Sequence, residues 1–230
     1  MTTTIPGKKK REYLENLRVY LDPALILSVK NNDVERVKLL LIMGADINNR
    51  TNSTYPLYEA CARGYVEMAQ VLIDRGANVN TQKNRWQVDS TPLHIACGHG
   101  HTEVARLLLE AGADVNVNGG WGTPLNRACE HDSVEIAALL LEAGVDLDVR
   151  NADGNTALHL ACKTGRVGIT RLLLEKGANT GKKNKLGVTA LGYAMTLNET
   201  DPHREEIIEL FRGYAPQAVM ETFCTAGPQL

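Results

Sequence analysis

Apolar positions in this chain recur as pairs of short helical stripes. The stretch TPLHIACGHGHTEVARLLLEAGADVN at 91–116 carries one such pair. Leu93, Ala96 and Cys97 form a small-residue face, and Val104, Leu107, Leu108 and Leu109 form a wide apolar stripe at helical spacing. Pro92 suits a first turn, which needs no backbone donor, and Thr91 before it offers an oxygen to the open N–H groups. Gly98 and Gly100 are expected to break the first helix, and Thr102 and Glu103 to open the second. Gly112 then ends it where a left-handed residue costs least. The predicted unit is helix, turn, helix, loop.

The same unit recurs along the chain. Aligned on its first position, the copies begin PALI at 23, YPLY at 55, TPLH at 91, TPLN at 123, TALH at 156 and TALG at 189, spaced by 32, 36, 32, 33 and 33 residues. The second stripe returns as VERVKLLL, VEMAQVLI, TEVARLLL, VEIAALLL and VGITRLLL, and the closing glycine as Gly44, Gly76, Gly112, Gly144 and Gly177. Self-similarity at this period marks a stack of identical supersecondary units rather than one large core.

The flanks differ from the repeats. Residues 1–7 are expected to be disordered, and 8–22 to form an amphipathic capping helix with Tyr13, Leu14, Leu17, Tyr20 and Leu21 on one side. Its basic run Lys8, Lys9, Lys10 and Arg11 reads as a solvated terminus, the alternative being a nuclear localisation patch. Six repeats are assigned to 23–50, 51–83, 84–118, 119–150, 151–183 and 184–215, the last divergent, with Pro202 expected to begin a longer inter-helix loop. The tail 216–230 is expected to add one helical turn around Val219 and Phe223 and then fray.

A period near 33 with TPLH, a GH turn, a leucine-rich second helix and a GADVN ending resembles the ankyrin repeat family over about residues 23–215. The resemblance implies an all-α ankyrin-repeat solenoid of stacked helix-turn-helix units. It also implies connecting loops that project sideways as β-hairpin fingers and line, with the first helices, a concave face.

Composition narrows the function classes. A formal net charge of -2 removes any global argument for nucleic acid or an anionic membrane as partner. No apolar run approaches a membrane span, and the N-terminal residues lack the apolar middle of a signal peptide, so a cytoplasmic or nuclear location is the default. Cys61, Cys97, Cys129 and Cys162 hold the same place in successive copies. At helix-packing separations they are too far apart for disulfides and read as small core residues.

Departures from the repeat point to function. The finger of the second repeat is lengthened, NTQKNRWQVDS at 80–90, and that of the third is short, NVNGGWG at 116–122. Each carries a tryptophan, Trp86 and Trp121, read as aromatic anchors for a partner, the alternative being rings packed flat on a neighbouring finger. Arg63, His99, Arg127 and His131 are the first-helix candidates for the partner-binding face, and Arg85, Asp89 and Arg150 its polar rim. His94 and His159 sit where the family's own His bonds the preceding Thr, so the resemblance makes them framework. Glu59 and Arg127 are charged on a face that is usually apolar, so each must be paired or reach the groove.

Cys97, His99 and His101 resemble a metal cluster, but GHGH is the family's ordinary turn and no second pair completes a site, so no metal or cofactor is expected. Asn116 and Asn48 end leucine-run segments that resemble substrates of asparaginyl hydroxylases, the alternative being that each Asn simply ties its hairpin together. The reading reached is a monomeric, non-enzymatic scaffold that binds another protein, with no nucleic acid or membrane partner. The alternative is a small-molecule or catalytic groove built from Tyr58, Glu59, Asn126, Arg127 and His131.

Overall fold

Three of the first helices start by the same local chemistry. Thr91, Thr123 and Thr189 are extended, and their hydroxyls accept the backbone N–H of His94, Asn126 and Gly192 at 3.4, 3.3 and 3.1 Å. That satisfies a donor the first turn would leave open. Tyr55 starts its helix extended but without a side-chain cap.

The computed structural model describes residues 7–51, 54–85, 88–120, 122–198 and 200–225, with side chains for all of these except 7–15, 83–85, 88–89 and 221–225. In chain order the elements are α1 (Gly7–Lys30), α2 (Val34–Ile42), α3 (Pro56–Arg63), α4 (Val66–Asp74), β1 (Lys83–Arg85), β2 (Val88–Ser90), α5 (Pro92–His99) and α6 (Thr102–Glu110). They continue as α7 (Pro124–Glu130), α8 (Val134–Glu142), α9 (Ala157–Lys163), α10 (Val167–Glu175), α11 (Ala190–Met195), α12 (Pro202–Tyr214) and α13 (Pro216–Thr225). First helices pack in the series α1, α3, α5, α7, α9, α11, and second helices in the series α2, α4, α6, α8, α10, α12. This is the expected all-α solenoid.

Between the two helices of a repeat the chain turns through one left-handed residue. Gly64, Gly100 and Gly165 fill that place at φ 69, 73 and 70°, while Asn32 and Asp132 adopt it at 54 and 58°. Asn and Asp tolerate this region better than other side chains do. Gly98, expected to break α5, lies inside the helix instead, because Gly100 supplies the left-handed cap two residues later.

The core is a column of repeated layers. Leu57, Leu93, Leu125, Leu158 and Leu191 are at most 2% exposed, and Cys61, Cys97, Cys129 and Cys162 are fully buried free thiols. On the second helices Met68, Val104, Ile136 and Ile169 are fully buried at one common position. Burial of each such large side chain contributes about 1.5–3 kcal/mol. In the first repeat that position holds Arg36, which is exposed, so the outer side of α2 is charged where later repeats are apolar.

Three elements differ from expectation. The helix expected at 8–22 runs without interruption into the first repeat, with Pro23 inside α1. Its packing face is set by Leu21, Leu25 and Val29, so Tyr20 points away and is 78% exposed, on the same side as Leu27 seven residues on. Pro202 does not begin a loop but stands in the first turn of α12, capped by Asp201, whose carboxylate accepts the His203 N–H at 3.0 Å. The tail forms a ten-residue helix, α13, rather than a single turn, with Val219 buried.

Only the lengthened finger forms a strand pair among the described residues, β1 antiparallel to β2 with Lys83 opposite Ser90. Three other fingers close through single bridges, Thr51 with Thr54, Gly119 with Gly122 and Lys183 with Thr189. Adjacent fingers are tied by asparagines. Asn48 Oδ1 accepts the Asn78 N–H at 2.8 Å and its Nδ2 donates to the Gly76 carbonyl at 3.4 Å. Asn80 repeats both bonds to Asp114 and Gly112, and Asn116 accepts the Asp146 N–H. Before the first finger a helical pair takes over, with Asp22 accepting the Asp46 N–H at 2.8 Å and Arg18 donating to the Gly44 carbonyl at 3.3 Å.

Candidate partner-binding face

Helical geometry leaves one line of α3, α5, α7 and α11 partly uncovered. Glu59, Ile95, Arg127 and Tyr193 occupy the same position in successive repeats and are partly exposed, while Leu160 at that position is buried. The residues on either side of the first three, Tyr58 and Ala60, His94 and Ala96, Asn126 and Ala128, are all buried. Four residues further along each helix Arg63, His99, His131 and Thr164 are exposed.

The charged members of this surface are paired within their own helices. Arg63 Nε donates to Glu59 at 2.9 Å across one turn, and Thr54 donates to the other oxygen of the same carboxylate at 3.4 Å. The Glu59 side chain is only 14% exposed and Arg63 is 42% exposed, so the guanidinium faces outward over a covered carboxylate. Arg127 pairs with Glu130 in the same manner, three residues apart. The condition set by the sequence, that Glu59 and Arg127 be paired or reach the groove, is met by pairing.

Histidines divide into framework and surface. His94 is buried, its Nδ1 against the Thr91 hydroxyl at 2.9 Å and its Nε2 against the Gly122 carbonyl at 3.0 Å. His159 repeats this with Thr156 and Val188 at 2.8 and 3.2 Å. Burial lowers the pKa of both rings, which favours the neutral form. His99 is exposed, bonded to the Ile95 carbonyl, and stacked on His101 with centroids 5.8 Å apart. His131 is exposed at the end of α7, and its pKa is lowered by partial burial and then by the Arg127 charge.

Of the rim residues, Arg150 is exposed on its finger, where its carbonyl accepts from Asn118 at 3.1 Å. Arg85 and Asp89 lie on β1 and β2, facing Val88 and Asn84 in the register, and their side chains are outside the described residues. Trp86 and Trp121 also lie outside the described residues.

The alternative ligand groove is not assembled. Tyr58 is 8% exposed with its hydroxyl 3.1 Å from Ser90 Oγ, and Asn126 is 1% exposed beneath Thr123, whose hydroxyl donates to Oδ1 at 2.7 Å. Both side chains are interior, whereas Glu59, Arg127 and His131 are at the surface. Surface recesses of about 320 and 450 Å3 occur elsewhere, the first beside Arg18, Asp22 and Asp46, the second between Arg171, Glu206 and Tyr214. Cys97 is fully buried with its thiol pKa pushed far up by burial, so it does not converge with His99 and His101.

A reading confined to motifs missed the bridge at the fourth position of the first helix. Tyr58 to Ser90, His94 to Gly122 and His159 to Val188 each join a helix to the residue just before the next repeat. The signal was their common place in the alignment, held by two different side chains, Tyr and His. Asn48 and Asn116 are exposed, and both use the side-chain oxygen to hold the next finger.

Among the described residues no helix is long and apolar enough to cross a membrane. A family model described as ankyrin repeats in three copies matches residues 25–119, 83–151 and 125–215. A protein of fowlpox virus (strain NVSL), named as the ankyrin repeat protein FPV014, is 40% identical over 55 residues. That match takes in 24% of this chain and 13% of the viral protein, so the chain matches a small part of that relative's length.

Proposed function

We propose that this chain, which belongs to the ankyrin repeat family, is a scaffold that binds a partner protein along its first helices and the fingers of its second to fourth repeats. Ankyrin repeats generally mediate protein–protein interaction, and the family is typically non-enzymatic. The observation that carries the finer reading is the row Glu59, Ile95, Arg127 and Tyr193. These are four chemically different side chains, all partly exposed, on a scaffold whose next position is a buried alanine in every copy from the second to the sixth, Ala60, Ala96, Ala128, Ala161 and Ala194. A stack whose layers bury their faces against one another leaves such rows as a rigid, extended surface. The bet on residues is Trp86, Trp121, Arg63, His99, Arg127 and His131, with Arg85, Asp89 and Arg150 at the rim. The scaffold acts as a monomer, in the cytoplasm or nucleus, and needs no cofactor.

Affinity purification with the wild-type chain beside a Trp86→Ala/Trp121→Ala variant and an Arg63→Ala/Arg127→Ala variant tests this. Partners lost with both variants, and regained by neither, identify the surface. A partner set unchanged in both would remove the proposed face. Asn48 and Asn116 are proposed in addition as hydroxylation sites, since both are exposed at finger bases.

A further inference from the structure

Successive repeats are joined by two recurring neutral bonds, and one joint lacks both. The first is the strut from the fourth residue of a first helix, made by Tyr58, His94 and His159 to the residue that precedes the next repeat. In the fourth repeat this residue is Asn126. Its amide is shorter than an imidazole, reaches Thr123, and leaves Nδ2 buried with no hydrogen-bond partner. The carbonyl it would have to reach, that of Asn155, instead accepts the Asn151 N–H at 2.9 Å.

The second is the asparagine tie between fingers, made by Asn48, Asn80 and Asn116. The next residue in that series is Asp148, which has no amide donor, and it pairs with Lys182 Nζ at 2.9 Å. Among the described residues, the side-chain hydrogen bonds between the fourth and fifth repeats come from Arg166 and Lys182. Arg166 reaches Asp132 Oδ2 and the Glu130 carbonyl, both at 3.4 Å, and its Nε is buried without a partner. Asp132 is itself the residue held left-handed where three other repeats have glycine. The joints on either side are built differently. Ser133, Asn116 and Asn118 bond the third repeat to the fourth, and Asn184 and His159 bond the fifth to the sixth.

We propose that the joint between the fourth and fifth repeats is an ion-latched hinge, at which the stack divides into an N-terminal body up to Arg150 and a C-terminal body from Asn151. The latches are Arg166 with Asp132 and Lys182 with Asp148, whose side chains are 34, 49, 23 and 49% exposed, so salt reaches and screens them. The neutral ties at the other joints have no such dependence. Opening swings the segment bearing Lys163 and Tyr193 away from that bearing Arg127 and His131, and so alters the length of surface presented as one piece.

Native-state hydrogen exchange of the full chain at 50 and 500 mM NaCl tests this, with exchange read helix by helix. The expected result is a rise of about fivefold in exchange across α9 and α10 at high salt, with α3 to α6 unchanged. An Arg166→Gln/Lys182→Gln variant should show the raised exchange already at low salt and lose the salt response. Asn126→His, which rebuilds the strut to the Asn155 carbonyl, should slow exchange in α9. A salt response that is absent, or equal in all repeats, overturns the hinge, as does a double variant with wild-type protection of α9. Should the double variant fail to fold, the wild-type salt series and Asn126→His decide the matter.

Discussion

Arg127 of the fourth repeat lies across Gly98 of the third. A Cβ placed on Gly98 would stand 3.1 Å from Nη2 and 3.3 Å from Nε of that guanidinium. Such contacts are tighter than ordinary packing, so the arginine would have to move. The corresponding residues elsewhere are Ala62, Glu130 and Lys163, and the bare backbone at 98 is what lets Arg127 reach the neighbouring helix. Gly98→Ala therefore sets two effects against each other. Alanine gains about 0.5–1 kcal/mol in a helix interior, and displacing Arg127 loses a comparable amount. Urea denaturation should find stability changed by less than about 1 kcal/mol, while partner affinity falls about fivefold or more, as expected for a displaced interface arginine.

Trp86→Ala with Trp121→Ala should leave folding nearly intact and weaken partner binding by tenfold or more, at about 1–2 kcal/mol per anchor. A thermal melt run beside a binding titration separates the two roles. A collapse in melting temperature would make both rings packing residues of the fingers.

Stability should fall as the solution is acidified below about pH 6.5. His94, His131 and His159 have folded-state pKa values below the ordinary histidine value, with burial the leading cause. The unfolded chain then takes up protons that the folded chain refuses, and each proton bound only by the unfolded state lowers the unfolding free energy. His94→Gln should reduce the slope of that dependence in urea titrations from pH 7 to 5. At the alkaline end the sign follows from the thiols. Burial raises the pKa of all four described cysteines, Cys162 to about 12, so stability is lost as pH rises above the unfolded-state thiol value.

Asp22→Ala should cost about 1.5–3 kcal/mol, the usual worth of a hydrogen bond to a charged group, since Asp22 is buried. It removes the acceptor for the Asp46 N–H and leaves Arg18 alone to hold the start of the first finger. Exchange of the Asp46 amide should accelerate more than that of Asn78, which keeps its bond to Asn48.

Asn48 and Asn116 are expected to carry one added oxygen each in protein purified from its native source. Peptide mass spectrometry reads this directly, and unmodified peptides at both positions would end the proposal. Asn80 makes the same hydrogen bonds and serves as the internal control.

Most of the architecture was legible because repetition multiplies a weak signal. One Thr-Pro-Leu followed by an apolar stripe says little, whereas the same register six times excludes other folds. What the periodicity could not convey lay at the ends and in the contacts between copies. Tyr20 looked like a buried residue because five apolar side chains share a short window. The face that packs is decided by Leu21, Leu25 and Val29, which continue into the repeat. Pro23 looked like a boundary, yet α1 passes through it. At the candidate surface, Arg63 and Arg127 were visible as charges, but not that each lies on a carboxylate of its own helix. Tyr58 and Asn126 were mistaken for groove residues because their framework role depends on a partner 29 or more residues away, or on its absence.

The four aligned cysteines have a practical consequence. Each layer from the second repeat to the fifth holds one thiol, fully buried and free of any disulfide. A reagent that modifies thiols can reach a given sulfur only when its own layer comes apart. Cys61, Cys97, Cys129 and Cys162 are thus four clocks at known depths along the stack. Timing their modification by mass would show which layers part together and which part alone, with no label added to the chain.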